Sequence, residues 1–537
     1  MHFSPATSYD ADNKIWSGPP DSYYFAPELS IGEIIYEEMR RHPKLIAQIS
    51  DTENTILTHE ELLLNSIRVA TYMRNQGLNQ NDIVGIIARN TTHIFAVTYA
   101  CFFNGIAFHS LNILHDQETI ERLYNLTKPC LIFCDGDEYE KVRAATKDLN
   151  VQIITMRNHT KDSFSIEEVL ATPVGEKFQT ARLEKGNDQT LAILCSSGTT
   201  GDPKAVTISN SRKILNPSPP LTTTDVQFGS STLDWLSGLL TTVISGVYST
   251  TRIITDCGFD AEYFFYLVEK YKITWAMQGT ASMALMANSE EFERADFSSL
   301  RYFFYGGSRC SLEVQHKLRR VFSLDCMHFA YGLTELGTLA SVNYHFDKKP
   351  NSSGRLTNGF KLKIINKQGE AQEPDAVGEI CIYSGQYWDG YYGNRKESQH
   401  IRDNNLWFHT GDLGYMDDDG FLYIVERKKD MLKYKTMMYY PHEIESVISK
   451  MPDVADVCVF GVWNPYTGDE AAAAVVKKKG SDLHAQDVLD YVMEHVDATY
   501  KQLNGGALIV DELKRSANGK TNRLATKAYF LEVKDRN

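Results

Sequence analysis

The chain is expected to fold as an α/β protein. A large N-terminal region of helix-covered β-sheets carries a small β-barrel-like subdomain, and a small α/β C-terminal domain follows. Three observations predict this. Up to about residue 350, helix-patterned segments alternate with near-continuous apolar runs of strand length, as in a mostly parallel sheet covered by helices. From about Gly354 the strand-like runs shorten and turns crowd between them. After the charged run ERKKD at residues 426–430, about a hundred residues remain, enough for a separate small domain. The expected division is 1–426, with the β-rich part at about 350–426, and 427–537.

The elements follow in order. Ser30 with Glu33, and Thr58 with Glu61, have the spacing of capping boxes that start helices. The second helix has Leu62, Leu63, Ile67, Ala70 and Met73 at helical spacing, and Gly77 ends it before a buried strand at residues 83–87. Residues 94–108 form the most apolar window, too short to span a bilayer and interrupted by Asn104-Gly105; they read as a buried helix running into a loop. Strands are expected at 130–134 and 151–155, with Cys130 and Cys134 as buried thiols. Further strands read at 191–195, 206–208, 273–276, 300–307 and 327–330, and short ones at 354–356, 361–365 and 378–382. The acidic triplet Asp417-Asp418-Asp419 before Gly420 is a hairpin turn without the alternating ligand spacing of a calcium loop. A helix is expected from Pro441, with Ile444, Val447 and Ile448 on one face.

With 42% hydrophobic and 23% charged residues, the composition is that of a soluble globular enzyme. A formal charge of −14 supplies no basic field for general nucleic-acid binding. The nine cysteines are scattered, without a CxxC pair or a zinc spacing. Residues 1–10 lack a signal-peptide pattern, so a cytoplasmic location is expected.

The chemistry begins at residues 191–210, LAILCSSGTTGDPKAVTISN. An apolar strand breaks into Ser196, Ser197, Gly198, Thr199, Thr200 and Gly201, and Pro203 and Lys204 follow. Glycines let backbone N–H groups approach an anion, hydroxyls add donors, and the lysine adds positive charge. The common P-loop pattern fails here because the glycines are closer together and the lysine follows a proline. It also fails at Gly519-Lys520-Thr521, where position 514 is lysine.

Five segments in order resemble one family: SSGTTGDPK (196–204), YGLTE (331–335), TGD (410–412), ERKKDMLK (426–433) with PHEIE (441–445), and ANGKTNR (517–523). The chain is identified as a member of the adenylate-forming superfamily of acyl-CoA synthetases, peptide-synthetase adenylation domains and beetle luciferases. The insect luciferase-like and 4-coumarate–CoA-ligase-like branch is the most similar. The resemblance implies that residues 196–204 hold the β- and γ-phosphates of ATP and that Tyr331 stacks on adenine beside Gly306 and Gly307. It implies that Thr334 meets the α-phosphate and Glu335 holds Mg²⁺, a hard cation that takes oxygen ligands. Asp412, which alone reads as a turn aspartate, becomes a ribose contact with Arg427. Lys429 becomes the hinge of a mobile C-terminal domain, and Lys433 faces the site in the second state.

Two departures from the pattern stand out. Thr436 stands where the family usually has glycine beside the CoA channel, and its β-branched side chain is expected to narrow that channel. Trp235 stands near the acyl pocket where relatives present a smaller or imidazole side chain, and reads equally as a core tryptophan. The implied reaction joins a carboxylic acid to CoA through an acyl-AMP, with ATP, Mg²⁺ and CoA required. Trp235, Trp275 and nearby apolar residues favour a medium- or long-chain fatty acid. The alternatives are luciferase-like oxygenation of an adenylate and a non-catalytic nucleotide-binding relative. Several relatives carry a peroxisomal Ser-Lys-Leu-type ending, which residues 534–537 lack.

Carboxylate attack on phosphate brings two anions together, so a bridging cation is what the transition state most needs, and Lys520 has that role by resemblance. Lys520→Ala is expected to abolish acyl-adenylate formation with ATP binding largely retained; full activity in a pyrophosphate-exchange assay would remove this role from Lys520.

Overall fold

Two large sheets dominate the first 356 residues of the computed structural model, which describes residues 7–22, 24–26, 28–175, 177–197, 203–215, 221–322, 326–435, 437–516 and 519–536. One has seven strands in the order Pro203–Ser209, Thr190–Ser197, Ala107–Ser110, Ile83–Ile87, Leu131–Cys134, Gln152–Thr155 and Phe164–Ser165. Its pairings are parallel except the first, where Pro203–Ser209 runs antiparallel to Thr190–Ser197. The other has nine strands. Its centre is parallel, through Met327–Leu333, Tyr302–Gly306, Trp275–Gly279, Val226–Gly229, Thr251–Ile254 and Ile46–Ser50. Antiparallel strands close both of its ends.

The helices that cover these sheets start where the sequence says they should. Ser30 and Thr58 each accept the backbone N–H three residues on, and Glu33 and Glu61 return the bond. Helix Ile94–Asn104 is buried along its whole length and packs in one core with helices Ile31–Arg41 and Leu236–Tyr248. Helices Ile31–Arg41 and Ile94–Asn104 approach so closely that a Cβ at Gly32 would stand 2.3 Å from the Phe102 carbonyl oxygen.

Three expectations change. The run after helix Ile94–Asn104 is no loop: Gly105 turns at φ 65° and the chain enters strand Ala107–Ser110 beside Ile83–Ile87. Cys130 is exposed, because the strand starts one residue later, whereas Cys134 is buried inside it. The β-rich part forms a six-stranded sheet that recruits the hairpin Ser8–Asp10 and Ile15–Ser17, with Trp16 facing Leu362 across the pairing.

The chain divides into two compact units. The first comprises residues 1–363, 381–410 and 416–423, and the second 364–380, 411–415 and 424–537. The second unit contains its own five-stranded sheet of Met437–Tyr439, Leu432–Tyr434, Gly468–Lys477, Val454–Asn464 and Gly506–Val510. Helices Pro441–Ile448 and Ala485–His495 cover its core, with Ile444 and Ile448 buried. Among the described residues no helix is long and apolar enough to cross a membrane.

Helix Leu236–Tyr248 follows directly on the segment that carries Trp235. A Cβ at Gly238 would stand 2.0 Å from the Thr232 carbonyl oxygen, backbone that cannot step aside without moving this segment. Gly238→Ala is therefore expected to destabilise the protein by about 3 kcal/mol, read as a lowered urea midpoint.

Candidate active site

In the first unit the candidate residues are placed by the ends of strands. Ser196 pairs with Lys204 and Ser197 with Pro203, so an antiparallel ladder sets both ends of the segment expected to hold phosphate. The Ser196 hydroxyl is buried and has no hydrogen-bond partner among the described residues. Gly198, Thr199, Thr200 and Gly201, and the Ser197 side chain, lie outside the described residues, as does Thr436.

Lys204 reaches off its strand to Glu397, Nζ to Oε1 2.5 Å, and its Nζ stands 4.9 Å from the centre of the Tyr391 ring. The Tyr391 hydroxyl donates to Glu335 Oε1 at 2.8 Å. The structure thus joins Lys204, expected to meet phosphate, and Glu335, expected to hold Mg²⁺, through one phenol. Glu335 suits that cation: it is a half-buried oxygen donor, and Mg²⁺ commonly takes one or two carboxylates plus substrate phosphates.

The segment 386–397 that supplies Tyr391 is stitched to the hairpin. Thr207 Oγ1 donates to the Gly390 carbonyl at 2.7 Å, Trp388 Nε1 to the Thr207 carbonyl at 3.1 Å, and Gln386 Nε2 to the Leu336 carbonyl at 2.6 Å. The sequence motifs do not include Tyr391 or Glu397. Tyr391 stands in Gly390-Tyr391-Tyr392-Gly393, two aromatics between glycines, but nothing in the sequence links it or Glu397 to Lys204.

Gly306 and Tyr331 lie on adjacent parallel strands, Gly306 paired with Ala330. A Cβ at Gly306 would meet the Ala330 carbonyl at 2.2 Å, and Gly307 turns at φ 90°, so both positions need glycine. Strand Met327–Leu333 runs through Tyr331 into the turn Thr334–Leu336, which presents Thr334 and Glu335. Trp235 is half-buried at the start of its helix, whereas Trp275 is a core residue 1% exposed, packed on Phe304. Polar groups also gather where the strands end beside Gly306. Ser230 Oγ donates to Gln278 Oε1 at 2.6 Å, the buried Gln278 Nε2 has no acceptor among the described residues, and Thr280 and Ser308 share a hydrogen bond.

The second unit brings together Asp412 and Arg427, Oδ1 to Nε 2.6 Å, with Asp412 3% exposed. Lys429 is exposed in the turn Lys428–Asp430, and Lys433 is exposed on strand Leu432–Tyr434, its N–H donating to Asp469. Lys520 is exposed in a turn where its carbonyl accepts from the Ser516 N–H, with Gly519 at φ 74°. The same unit ties the last two of the five sequence segments together. Arg523 donates to Glu445 at 2.6 Å and to the Val459 carbonyl, and Glu426 contacts His442 at 3.0 Å.

Burial by itself would raise the Glu426 carboxyl, but the His442 bond and the Arg523 charge hold it below its ordinary value of 4.5. For Arg523 burial opposes the charge, and Glu445 with its neighbours raises the guanidinium above its ordinary value.

The chain matches the AMP-binding enzyme family over residues 35–392 and the AMP-binding enzyme C-terminal domain over 443–520. It belongs to the AMP-binding enzyme family, the adenylate-forming superfamily that includes acyl- and aryl-CoA ligases. It is 27% identical over 521 residues to the luciferin 4-monooxygenase of Nipponoluciola cruciata, covering 93% of this chain and 94% of that protein. It is 24% identical over 520 residues to 4-coumarate–CoA ligase 1 of Arabidopsis thaliana, covering 93% and 92%. The crystal structure of the anthranilate CoA ligase AuaEII in complex with anthranoyl-AMP has the same fold, with a TM-score of 0.85 at 17% identity, over 94% of this chain and 98% of that one.

Removing one partner of a half-buried ion pair strands the other. Arg523→Ala is expected to destabilise the C-terminal unit by about 2 kcal/mol, measured by denaturant unfolding. The lowered Glu426 carboxyl contributes stability that is fully present above its ordinary value of 4.5 and is lost as pH falls through the lowered folded value. Unfolding followed from pH 6 downward should show this loss beginning near 4.5, and Glu426→Gln should flatten it.

Proposed function

We propose that the protein is an ATP-dependent acid–thiol ligase. The observation that carries this reading is the juxtaposition of Lys204 and Glu335 across Tyr391, which brings a cation for phosphate oxygens and an anion for a metal ion to one place. In the first step a carboxylate oxygen of the acid attacks the α-phosphorus of ATP, the bond to the bridging oxygen breaks, and pyrophosphate leaves. Lys204 and the buried Ser196 hydroxyl hold the departing phosphates, Tyr331 takes the adenine face, and Thr334 donates to the α-phosphate. Glu335 would hold Mg²⁺, which when bound neutralises phosphate charge. Asp412 and Arg427 take the ribose hydroxyls, and Lys520 bridges the attacking carboxylate and the α-phosphate, so that charge and positioning carry the reaction.

In the second step the CoA thiolate attacks the acyl carbon, the bond to the AMP oxygen breaks, and AMP leaves. Residues 427–537 act as a lid that turns about the exposed Lys429 and brings Lys433 into play, with Thr436 flanking the thiol's path. Trp235 forms one wall of the acyl pocket, and a medium- or long-chain fatty acid is the first substrate class. An aryl acid is the second reading, favoured by the polar group of Ser230, Gln278, Thr280 and Ser308 beside Gly306, whose unpaired Gln278 amide suits a substrate oxygen. Similarity to a luciferin 4-monooxygenase favours oxygenation of an adenylate as the rival chemistry.

Mass spectrometry of acyl-AMP and acyl-CoA from a panel of fatty and aryl acids, with and without CoA, tests the reading, and photon counting with luciferin and ATP tests the rival. Trp235→Ala is expected to change the relative kcat/KM among the acids by about tenfold with the KM for ATP unchanged. Identical acid preference would remove Trp235 from the pocket.

A further inference from the structure

The Lys204 ammonium is already occupied by the protein itself. Its side chain is only 12% exposed and makes a 2.5 Å contact with Glu397, itself 29% exposed. Glu397 stands in the first turn of helix Arg395–Ile401, where the Asn394 side chain caps its N–H. A carboxylate is the group most like a phosphate oxygen that a protein can offer a lysine: anionic and an acceptor only.

This pair also has a second lever. Tyr391 lies under the ammonium and holds Glu335 with its hydroxyl, so the lysine, the phenol and the second carboxylate form one chain: Glu397, Lys204, Tyr391, Glu335. The backbone of Tyr391 is in turn bonded to Ser398 Oγ, on the helix that carries Glu397. The Lys204 hydrogen bond, and more weakly the neighbouring His400 and Lys396 on the same helix, hold the Glu397 carboxyl below its ordinary value.

We propose that Glu397 is a positioning residue that occupies the Lys204 ammonium until the polyphosphate of ATP displaces it. Nucleotide binding exchanges an internal ion pair for the phosphate contact, and the return of Glu397 to Lys204 helps to expel pyrophosphate. This inference rests on the ligase reading. MgATP and magnesium pyrophosphate both bring several negative charges against one, but ATP is also held through its nucleoside, so the exchange runs forward with MgATP, whereas pyrophosphate, held by its phosphates alone, competes on more even terms with a carboxylate tethered in place. The cost falls on every ligand that contacts Lys204 and on none that does not.

The test is calorimetric titration of the full chain with magnesium pyrophosphate and, separately, with AMP. Glu397→Gln keeps the shape and removes the charge. It is expected to tighten pyrophosphate binding by about threefold to fivefold and to leave AMP affinity unchanged. Glu397→Ala should move in the same direction. In a Lys204→Met background the Glu397→Gln effect should vanish, which a merely structural role for Glu397 would not produce. In steady state the KM for ATP should fall while kcat falls with slower pyrophosphate release.

Pyrophosphate affinity that is unchanged or weakened in Glu397→Gln overturns the inference, as does an effect that survives in the Lys204→Met background. Wild-type protein that binds neither ATP nor pyrophosphate overturns the ligase reading as well, whereas retained binding with no charge effect overturns the inference alone.

Discussion

The antiparallel pairing of Thr190–Ser197 with Pro203–Ser209 sets the position of Lys204, and the candidate chemistry of the N-terminal unit is laid out from it. A lysine on a free loop would carry its charge through a wide volume. Here its Cα is fixed in a ladder, its side chain is enclosed to 12% exposure, and its head is held between a carboxylate and an aromatic face. The ladder itself is braced by the segment 386–397, which makes three hydrogen bonds with the same strand and the neighbouring turn. Lys204 is therefore preorganised by the backbone ladder and by the side-chain bonds that brace it.

The C-terminal unit solves a related problem with charge. Arg523 and Glu445 are far apart in sequence and meet at 2.6 Å, with the Val459 carbonyl as a third member and the Val459 N–H bonded back to Glu445 at 2.8 Å. Glu426 contacts His442 on the same helix, Pro441–Ile448. Residues that read as separate family motifs are, physically, the two ends of one small domain fastened to its first helix. The exposed lysines at 429, 433 and 520 are carried on turns and a strand whose frame these pairs hold.

Most of the helices and the alternation of strands were legible in the sequence, because capping boxes and apolar runs are local signals that survive packing, as at Ser30, Thr58 and Ile83–Ile87. Strand boundaries were less so. Ala107–Ser110 looked like a loop because Asn104-Gly105 marks the end of a helix and carries no signal for the strand after it, and Cys130 looked buried because the apolar run reads one residue longer than the strand. The N-terminal hairpin was invisible as a partner of Lys361–Ile365, since pairing across some 340 residues leaves no periodic trace. Tyr391 and Glu397 were missed for a similar reason: nothing local marks a tyrosine or glutamate as the neighbour of a lysine nearly two hundred residues away. Family resemblance pointed to the residues expected to meet the nucleotide, and only the structure located those that meet Lys204.

The nine-stranded sheet has a consequence for how the chain comes to be folded. Strand Ile46–Ser50 pairs with Thr251–Ile254, which is made roughly 200 residues later, and the far side of the sheet waits until Arg355–Leu356 has been synthesised. During that interval the strand has only its hairpin neighbour Thr55–Thr58, and its other edge, rich in unpaired N–H and C=O groups, is open to any extended segment. Parallel pairing over such distances is slow to form and prone to mispairing while it waits. The yield of native protein should thus depend on the pace of synthesis and on whatever shields that edge until its partner arrives.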